Sequence, residues 1–301
     1  MAGRKLFIVL FCAALLLVIS LSLFFIYPEV TKQRALLERK RAAWSLLRQD
    51  LIREAGNFKG KSGIVVKDLK LNWEISLNKE ERFVSASLVK IPILAAVFKA
   101  AQSGKISLAD KIKLKSSDKV SGSGRLKNMP AGREFTVEEL AERMIISSDN
   151  TATNMLIELL GFELLNSSFK EFGLKNTNLS RKMMEFDDRK NGVENYTTAE
   201  DISYILEEIY RNKLCNVFVS ESCLGLLKRQ KARDRIPAQL PKDIIVAHKT
   251  GLEAKACHDA GIVFAPQGDV LICVLTKGVV NSQISKKFIS NIAFKAYNDY
   301  H

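Results

Sequence analysis

The chain opens on an almost unbroken apolar run from Leu6 to Tyr27, preceded by Arg4 and Lys5. It is long enough to span a bilayer and longer than the apolar region of an ordinary signal peptide. Ser20-Leu21-Ser22 offers a small-x-small cleavage site, but the run continues past it to Ile26. An uncleaved anchor over residues 1–28 is the expectation, with a cleaved signal peptide as the second reading. Lys32, Arg34, Arg39, Lys40 and Arg41 outnumber the cations before the run, so charge leaves the orientation open.

The pattern then changes period. Glu29 to Glu54 reads as a basic amphipathic helix with Leu36, Leu37, Trp44, Leu47 and Leu51 among its apolar positions. Its first part, residues 29–44, is a juxtamembrane stalk and its last part packs on the domain that follows. Residues 63–78 alternate as two strands about Asn72. Ser87 opens a long apolar helix to Gln102, ended by Gly104, with Pro92 near its first turn. Thr136 and Glu139 form a capping box for a helix through Ile146. A second helix runs from Thr151 to Leu160 and stops at Gly161. Residues 175–197 are polar and irregular, and Ala199–Asn212 is helical. Strands follow at residues 244–249, 260–265 and 270–276, the last two joined by the turn Pro266-Gln267-Gly268-Asp269. Ser285–Tyr297 closes the chain as a helix.

Strands early and late with helices between them predict an α+β fold: an antiparallel sheet built from both chain ends, flanked by terminal helices, with an all-helical lobe inserted. Residues 45–301 form this domain. No repeat period is visible. The 301 residues are 47% hydrophobic and 26% charged, enough for a sizeable core without a disulfide framework. The net charge is +13, but residues 1–60 hold ten Lys/Arg against four Asp/Glu, and no aromatic-interleaved basic stripe follows. A basic surface near anionic lipid or cell-wall polymer fits better than nucleic-acid binding. Of Cys12, Cys215, Cys223, Cys257 and Cys273, only Cys215 and Cys223 invite pairing; buried or free thiols are the default. His248, His258 and His301 give neither a workable histidine triad nor a metal-ligand spacing.

Three motifs supply chemistry that needs no histidine. Ser87 and Lys90 are three residues apart on one helical face, so the amine lies beside the hydroxyl, and apolar surroundings disfavour its charged form. Ser148-Asp149-Asn150 falls between two helices, where a hydroxyl relays a proton to a leaving nitrogen and an amide holds a substrate carbonyl. Lys249-Thr250-Gly251 ends a strand, where Lys249 and Thr250 hold a carboxylate and Gly251 admits a substrate backbone. Each motif alone also reads as an ordinary surface lysine, an interhelical turn or a strand end.

With Phe83-Val84-Ser85-Ala86 before Ser87, Gly122-Ser123-Gly124, Thr151-Ala152 and Asn154 after the second motif, and Leu240-Pro241 before the third, the chain resembles the class A β-lactamase family of penicillin-recognising serine enzymes over roughly residues 45–300. The resemblance implies an acylated Ser87 with Lys90 as base or relay. Ser148 then serves the departing nitrogen, Asn150 the substrate amide, and Lys249 and Thr250 its carboxylate. The backbone N–H groups of Ser87 and Leu252 form the oxyanion hole. It implies no cofactor, an extracytoplasmic catalytic domain, and a monomer acting on a β-lactam or a peptidoglycan stem peptide.

The resemblance breaks in the long loop. Met183 stands where the family carries its deacylating glutamate, two residues after Arg181. Glu185 replaces it only if the loop is displaced, and Asp187 matches the asparagine that helps hold the water. The acid that closes the loop near Asn195-Tyr196-Thr197 is not evident. His248 precedes the third motif, Asp259 lies near the place of a family arginine, and Arg235 matches a substitute arginine for the substrate carboxylate. A hydrolase that opens β-lactam rings is the leading reading. A D-alanyl-D-alanine carboxypeptidase or transpeptidase, or a slowly deacylating sensor, is the alternative.

Overall fold

A computed structural model describes residues 2–298, so His301 and the last residues of the expected 45–301 domain lie outside the described residues. The first helix, α1 (Ala2–Asn57), is continuous through Pro28, where the polar pattern suggested two pieces. Proline's fixed φ suits a helix, and one lost backbone bond is outweighed by helix-forming residues on both sides. At 1.5 Å per residue it is about 84 Å long. Phe7, Phe11, Leu16, Phe24, Phe25 and Tyr27 on it are exposed, whereas Leu47 and Leu51 are buried in the domain. Leu6, Val18, Ile19, Ser20, Leu21 and Leu23 of the apolar run lie outside the described side chains. Among the described residues no helix is long and apolar enough to cross a membrane, so the expected span is not found there.

The remaining strands are β1 (Lys61–Asp68), β2 (Glu74–Leu77), β3 (Phe83–Val84), β4 (Lys111–Lys113), β5 (Glu134–Thr136), β6 (Tyr196–Thr197), β7 (Ile245–Glu253), β8 (Ala256–Phe264) and β9 (Val270–Lys277). Five of them make an antiparallel sheet in the order β2-β1-β9-β8-β7, so both chain ends do build one sheet. The remaining helices are α2 (Lys90–Gln102), α3 (Val137–Ile146), α4 (Asn150–Glu171), α5 (Phe186–Lys190), α6 (Ala199–Tyr210), α7 (Val217–Lys228) and α8 (Ser282–Asn298).

Strand periodicity assigns the two faces. Ile64, Val66, Ile272 and Val274 point to one side, where Leu47 and Leu51 of α1 and Phe288, Ile289 and Ile292 of α8 cover them. Val65, Leu271, Cys273 and Leu275 point to the other, into the helical lobe. At the centre of that lobe lies α2, apolar around its circumference and buried along most of its length.

Three local outcomes differ from the pattern. Gly161 does not stop α4: it takes φ 75°, ψ 155° and makes a kink after which the helix resumes. Helix α7 went unread because Val217, Phe218 and Val219 favour strands; burial of Val219, Cys223 and Leu227 in the lobe overrides that preference. The five cysteines are free thiols, with Cys215 exposed and Cys223 buried, so the pairing considered for them is not formed.

Candidate active site

Ser87 sits on a 3-10 turn (Ala86–Val89), and the α-helix proper begins at Lys90. The turn is strained and pinned. Ala86 takes φ 45°, a left-handed conformation that costs a non-glycine residue roughly 1–2 kcal/mol. Ser85 N donates to Asn195 O (2.8 Å), and His258 Nε2 lies 2.8 Å from Val84 O. A side chain at Gly251 would approach His258 Cδ2 at 3.1 Å and Ala86 Cβ at 3.3 Å, so the glycine lets β7 lie close against the nucleophile's turn.

Beneath Ser87 lies a buried hub. Lys90 Nζ donates to Ser148 O (2.8 Å), Ser148 Oγ (3.2 Å) and Asn150 Oδ1 (2.8 Å). Lys249 Nζ donates to Ser148 Oγ (2.9 Å) and Thr250 O (2.8 Å). Neither lysine has exposed surface. Burial drives the Lys90 pKa well below its ordinary value, with the Lys249 charge adding to the drop and Asp149 opposing it. Burial likewise lowers Lys249, to about 7, against the attraction of Asp259 and with help from Arg235. Among the described residues Ser87 Oγ has no hydrogen bond, so Lys90 serves Ser148 and Asn150 here.

Asp149 organises this hub. It caps α4, its Oδ1 accepting from Ala152 N (3.1 Å), while Oδ2 accepts from Arg125 N (2.7 Å) and Leu126 N (2.9 Å). Ser148, at φ 55°, is thereby turned toward both lysines. The amide of Asn150 is fixed on its other side by Ser121 O (3.2 Å).

Two cavities meet at the nucleophile, with Ser87, Ser123 and Leu252 in the walls of both. One, of about 230 Å³, adds Asn150, Met183, Met184, Phe186 and Glu253. The other, of about 320 Å³, adds Ser148, Thr250 and Arg235. Arg235 is 4% exposed and its Nε has no hydrogen-bond partner, which leaves a buried cationic donor beside the second cavity. The arrangement suits an amide whose acyl side enters the first cavity and whose anionic leaving side enters the second.

The loop residues are placed less as expected. Glu185 is exposed and outside both cavities; its carboxylate accepts from Lys182 N (3.0 Å), which holds it on its own loop. It is therefore not positioned as the replacement base. Asp187 is exposed and paired with Lys190 (2.7 Å). Met183 is buried, its N donating to Asn154 Oδ1 (2.8 Å) and its O accepting from Asn154 Nδ2 (3.1 Å). The acid that closes the loop is Glu194, whose Oε1 accepts from Arg181 Nε at 3.0 Å. The sequence signal for it was an acid just before Asn195. Asp259, also unassigned before, lies behind the third motif with its carboxylate 2.9 Å from His248 Nδ1, and accepts from Ile236 N (3.0 Å). That pair is buried and outside both cavities, so it is not a base for Ser87. Among the described residues no His, Cys, Asp and Glu side chains cluster to hold a metal ion.

Fold and site together define a histidine-free acyl-serine enzyme. Residues 46–300 match the β-lactamase enzyme family, and the chain belongs to that family. It is 26% identical over 258 residues to β-lactamase VEB-1 of Pseudomonas aeruginosa, covering 79% of this chain and 85% of that one. It is 25% identical to the extended-spectrum β-lactamase PER-1 of the same organism, over 73% of this chain and 76% of that one. A β-lactamase from Sphaerobacter thermophilus superposes with a TM-score of 0.79 at 29% identity, over 85% of this chain and 97% of the other. PBP-A superposes at 0.78 with 26% identity, over 84% and 95%. The chain is a β-lactamase-like serine hydrolase.

Proposed function

We propose that this enzyme opens β-lactam rings through an ester on Ser87 and that the ester is long-lived. Lys90, whose pKa burial drives well below its ordinary value, takes the Ser87 proton as Oγ attacks the ring carbonyl. The C–N bond breaks, and Ser148 passes a proton to the nitrogen with Lys249 behind it. Thr250, Lys249 and Arg235 hold the substrate carboxylate, and Asn150 the acyl-side amide. The N–H groups of Ser87 and Leu252 receive the oxyanion. The observation that carries the first half is the double donation of Lys90 and Lys249 to Ser148. The second half rests on Met183, with Glu185 turned away and the acyl-side carboxylate of Glu253 tied to Arg181 and Arg189.

The same site fits an enzyme that passes the acyl group of a D-alanyl peptide to water or an amine, or a sensor that remains acylated. A match to the D-alanyl-D-alanine carboxypeptidase DacF of Bacillus subtilis supports this less, because it covers 44% of this chain and 34% of that one. The exposed apolar residues of α1 support attachment to a membrane, with the catalytic domain extracytoplasmic, or secretion if the segment is cleaved.

Incubating the full chain with a chromogenic cephalosporin while following turnover and protein mass tests the proposal. A Ser87 adduct outlasting many turnover times of an efficient lactamase is expected. Fast turnover without adduct overturns the long-lived ester. No adduct, and no effect of Ser87→Ala, overturns the acyl-serine reading.

A further inference from the structure

The loop from Arg181 to Glu194 forms one wall of the acyl-side cavity and is held at three places. Asn154 grips the backbone of Met183. Asn195 Oδ1 accepts from Ser180 N (2.6 Å) and Arg181 N (3.0 Å), and its Nδ2 donates to Arg181 O (3.0 Å). The third place is an ionic box of two arginines and two glutamates. Glu253 Oε1 accepts from Arg181 Nη2 (3.2 Å) and Arg189 Nη1 (3.0 Å). Glu194 faces the same arginines, with Oε1 2.7 Å from Arg181 Nη2 and Oε2 2.8 Å from Arg189 Nε.

Three members of the box belong to the loop. Only Glu253 comes from elsewhere: it is the last residue of β7 and follows Leu252. Its Oε2 is buried without a hydrogen-bond partner, so the arginines alone orient the carboxylate. Charges balance two against two. Without Glu253, two guanidinium groups would face one carboxylate in the cavity wall, an imbalance that frees the partly exposed Arg189 and loosens the loop it belongs to.

We propose that Glu253 is a positioning residue that locks the loop to the catalytic strand and so sets the width of the acyl-side cavity. The inference rests on the reading that Ser87 is acylated. Met183, Met184 and Phe186 line the 230 Å³ cavity from the loop, and Leu252 and Glu253 line it from the strand, with Ala254 just beyond. The box is the direct polar link between these walls. The spacing it sets selects acyl side chains by bulk, because a wall that cannot yield rejects what does not fit.

The test measures second-order rates of Ser87 adduct formation by mass on the full chain. The probes are the penicillin nucleus without an acyl side chain, benzylpenicillin, and methicillin with its bulky ortho-substituted ring. Glu253→Ala is expected to raise the methicillin-to-nucleus rate ratio by at least about fivefold, the scale of coupling between contacting charges. Glu253→Gln, which keeps an acceptor oxygen, should stay closer to the wild type than Glu253→Ala. Arg189→Ala should shift the ratio the same way, and the double variant should add little. Unchanged ratios in Glu253→Ala and Arg189→Ala, or fully additive shifts, overturn the proposal. Absence of any wild-type adduct instead overturns the underlying reading of Ser87. If Glu253→Ala does not fold, the ratio for Arg189→Ala decides, since that side chain is 30% exposed and leaves the Arg181–Glu194 pair in place.

Discussion

Lys90 and Lys249 share one acceptor: the Ser148 hydroxyl receives a hydrogen bond from each, at 3.2 and 2.9 Å. A hydroxyl that accepts twice keeps its own proton for a third group, and here that group is the nitrogen leaving the substrate. The two amines are both buried, so full charge on both is costly and the pair titrates together.

Replacing Lys90 with methionine removes the base from beneath Ser87. Acylation should slow by about 10²–10⁴-fold, the usual contribution of a positioned base. Lys90→Arg should not restore it, because a guanidinium keeps its proton. Adduct formation by mass over time, with circular dichroism to verify folding, checks both.

Lys249 gives the rate a falling limb. With its pKa lowered to about 7, it loses the charge that holds a substrate carboxylate as pH rises through neutrality. The second-order acylation rate should fall there, and Lys249→Arg should move that limb upward. Stability follows the opposite trend. Between about 7 and the ordinary 10.5 the unfolded chain binds the proton that the folded lysine has released, so the Lys249 contribution to stability rises with pH across that window. Comparing unfolding curves of wild type and Lys249→Met isolates this contribution.

His258 predicts acid lability. Its Nδ1 accepts from Thr276 N (3.1 Å) and its Nε2 faces Val84 O (2.8 Å), which requires the neutral tautomer protonated on Nε2. Burial lowers its pKa from 6.5 to about 4. In that interval the unfolded state binds more protons, so stability is lost as pH falls through it. Because Val84 precedes the Ser87 turn, acylation should decline with it. Thermal unfolding of wild type and His258→Phe across the interval should show the extra slope in the wild type alone.

Met183→Glu should shorten the life of the ester. Asn154 holds this position by its backbone, so the new carboxylate inherits a fixed place in the acyl-side wall. A gain of about 10²-fold or more in adduct decay is expected, the range of a general base. Unchanged decay with an unchanged fold would show that water is excluded by more than a missing base.

Gly124→Ala should disturb the hub from a distance. A Cβ there would lie 2.1 Å from Asp149 Cγ, and φ is 101°. Asp149 cannot retreat without abandoning its bonds to Arg125, Leu126 and Ala152. A loss of about 2 kcal/mol or more is expected, read as a drop in melting temperature.

The parts legible in the sequence were those with a local code. Alternation about Asn72, the Thr136–Glu139 box and the turn at Gly268 each fix nearby backbone, and the structure keeps them. Ser87 and Lys90 were legible because spacing along a helix brings such residues to one face, and Asn150 because it belongs to a short motif at the break between two helices. The contacts that reach across the chain were not. Nothing near Glu253 tells that it meets arginines 64 and 72 residues earlier. Nothing near His248 points to Asp259 except a register that only pairing of β7 with β8 creates. Glu185 had the right chemistry and nearly the right position, but the turn at Met184, with φ 70°, carries it to the outer side of the loop.

Asn154 grips residue 183 through its backbone N and O and never touches the side chain's chemistry. The hydrogen bonds that shape the loop here are therefore the same whatever side chain residue 183 carries, while the buried Met183 side chain adds core packing. In evolutionary terms the two properties are partly separable: a lineage can change how long the acyl group stays at a cost in core packing, without rebuilding the loop's backbone anchors. Selection on acyl lifetime acts on the side chain, and selection on loop shape acts chiefly on the backbone of the same residue.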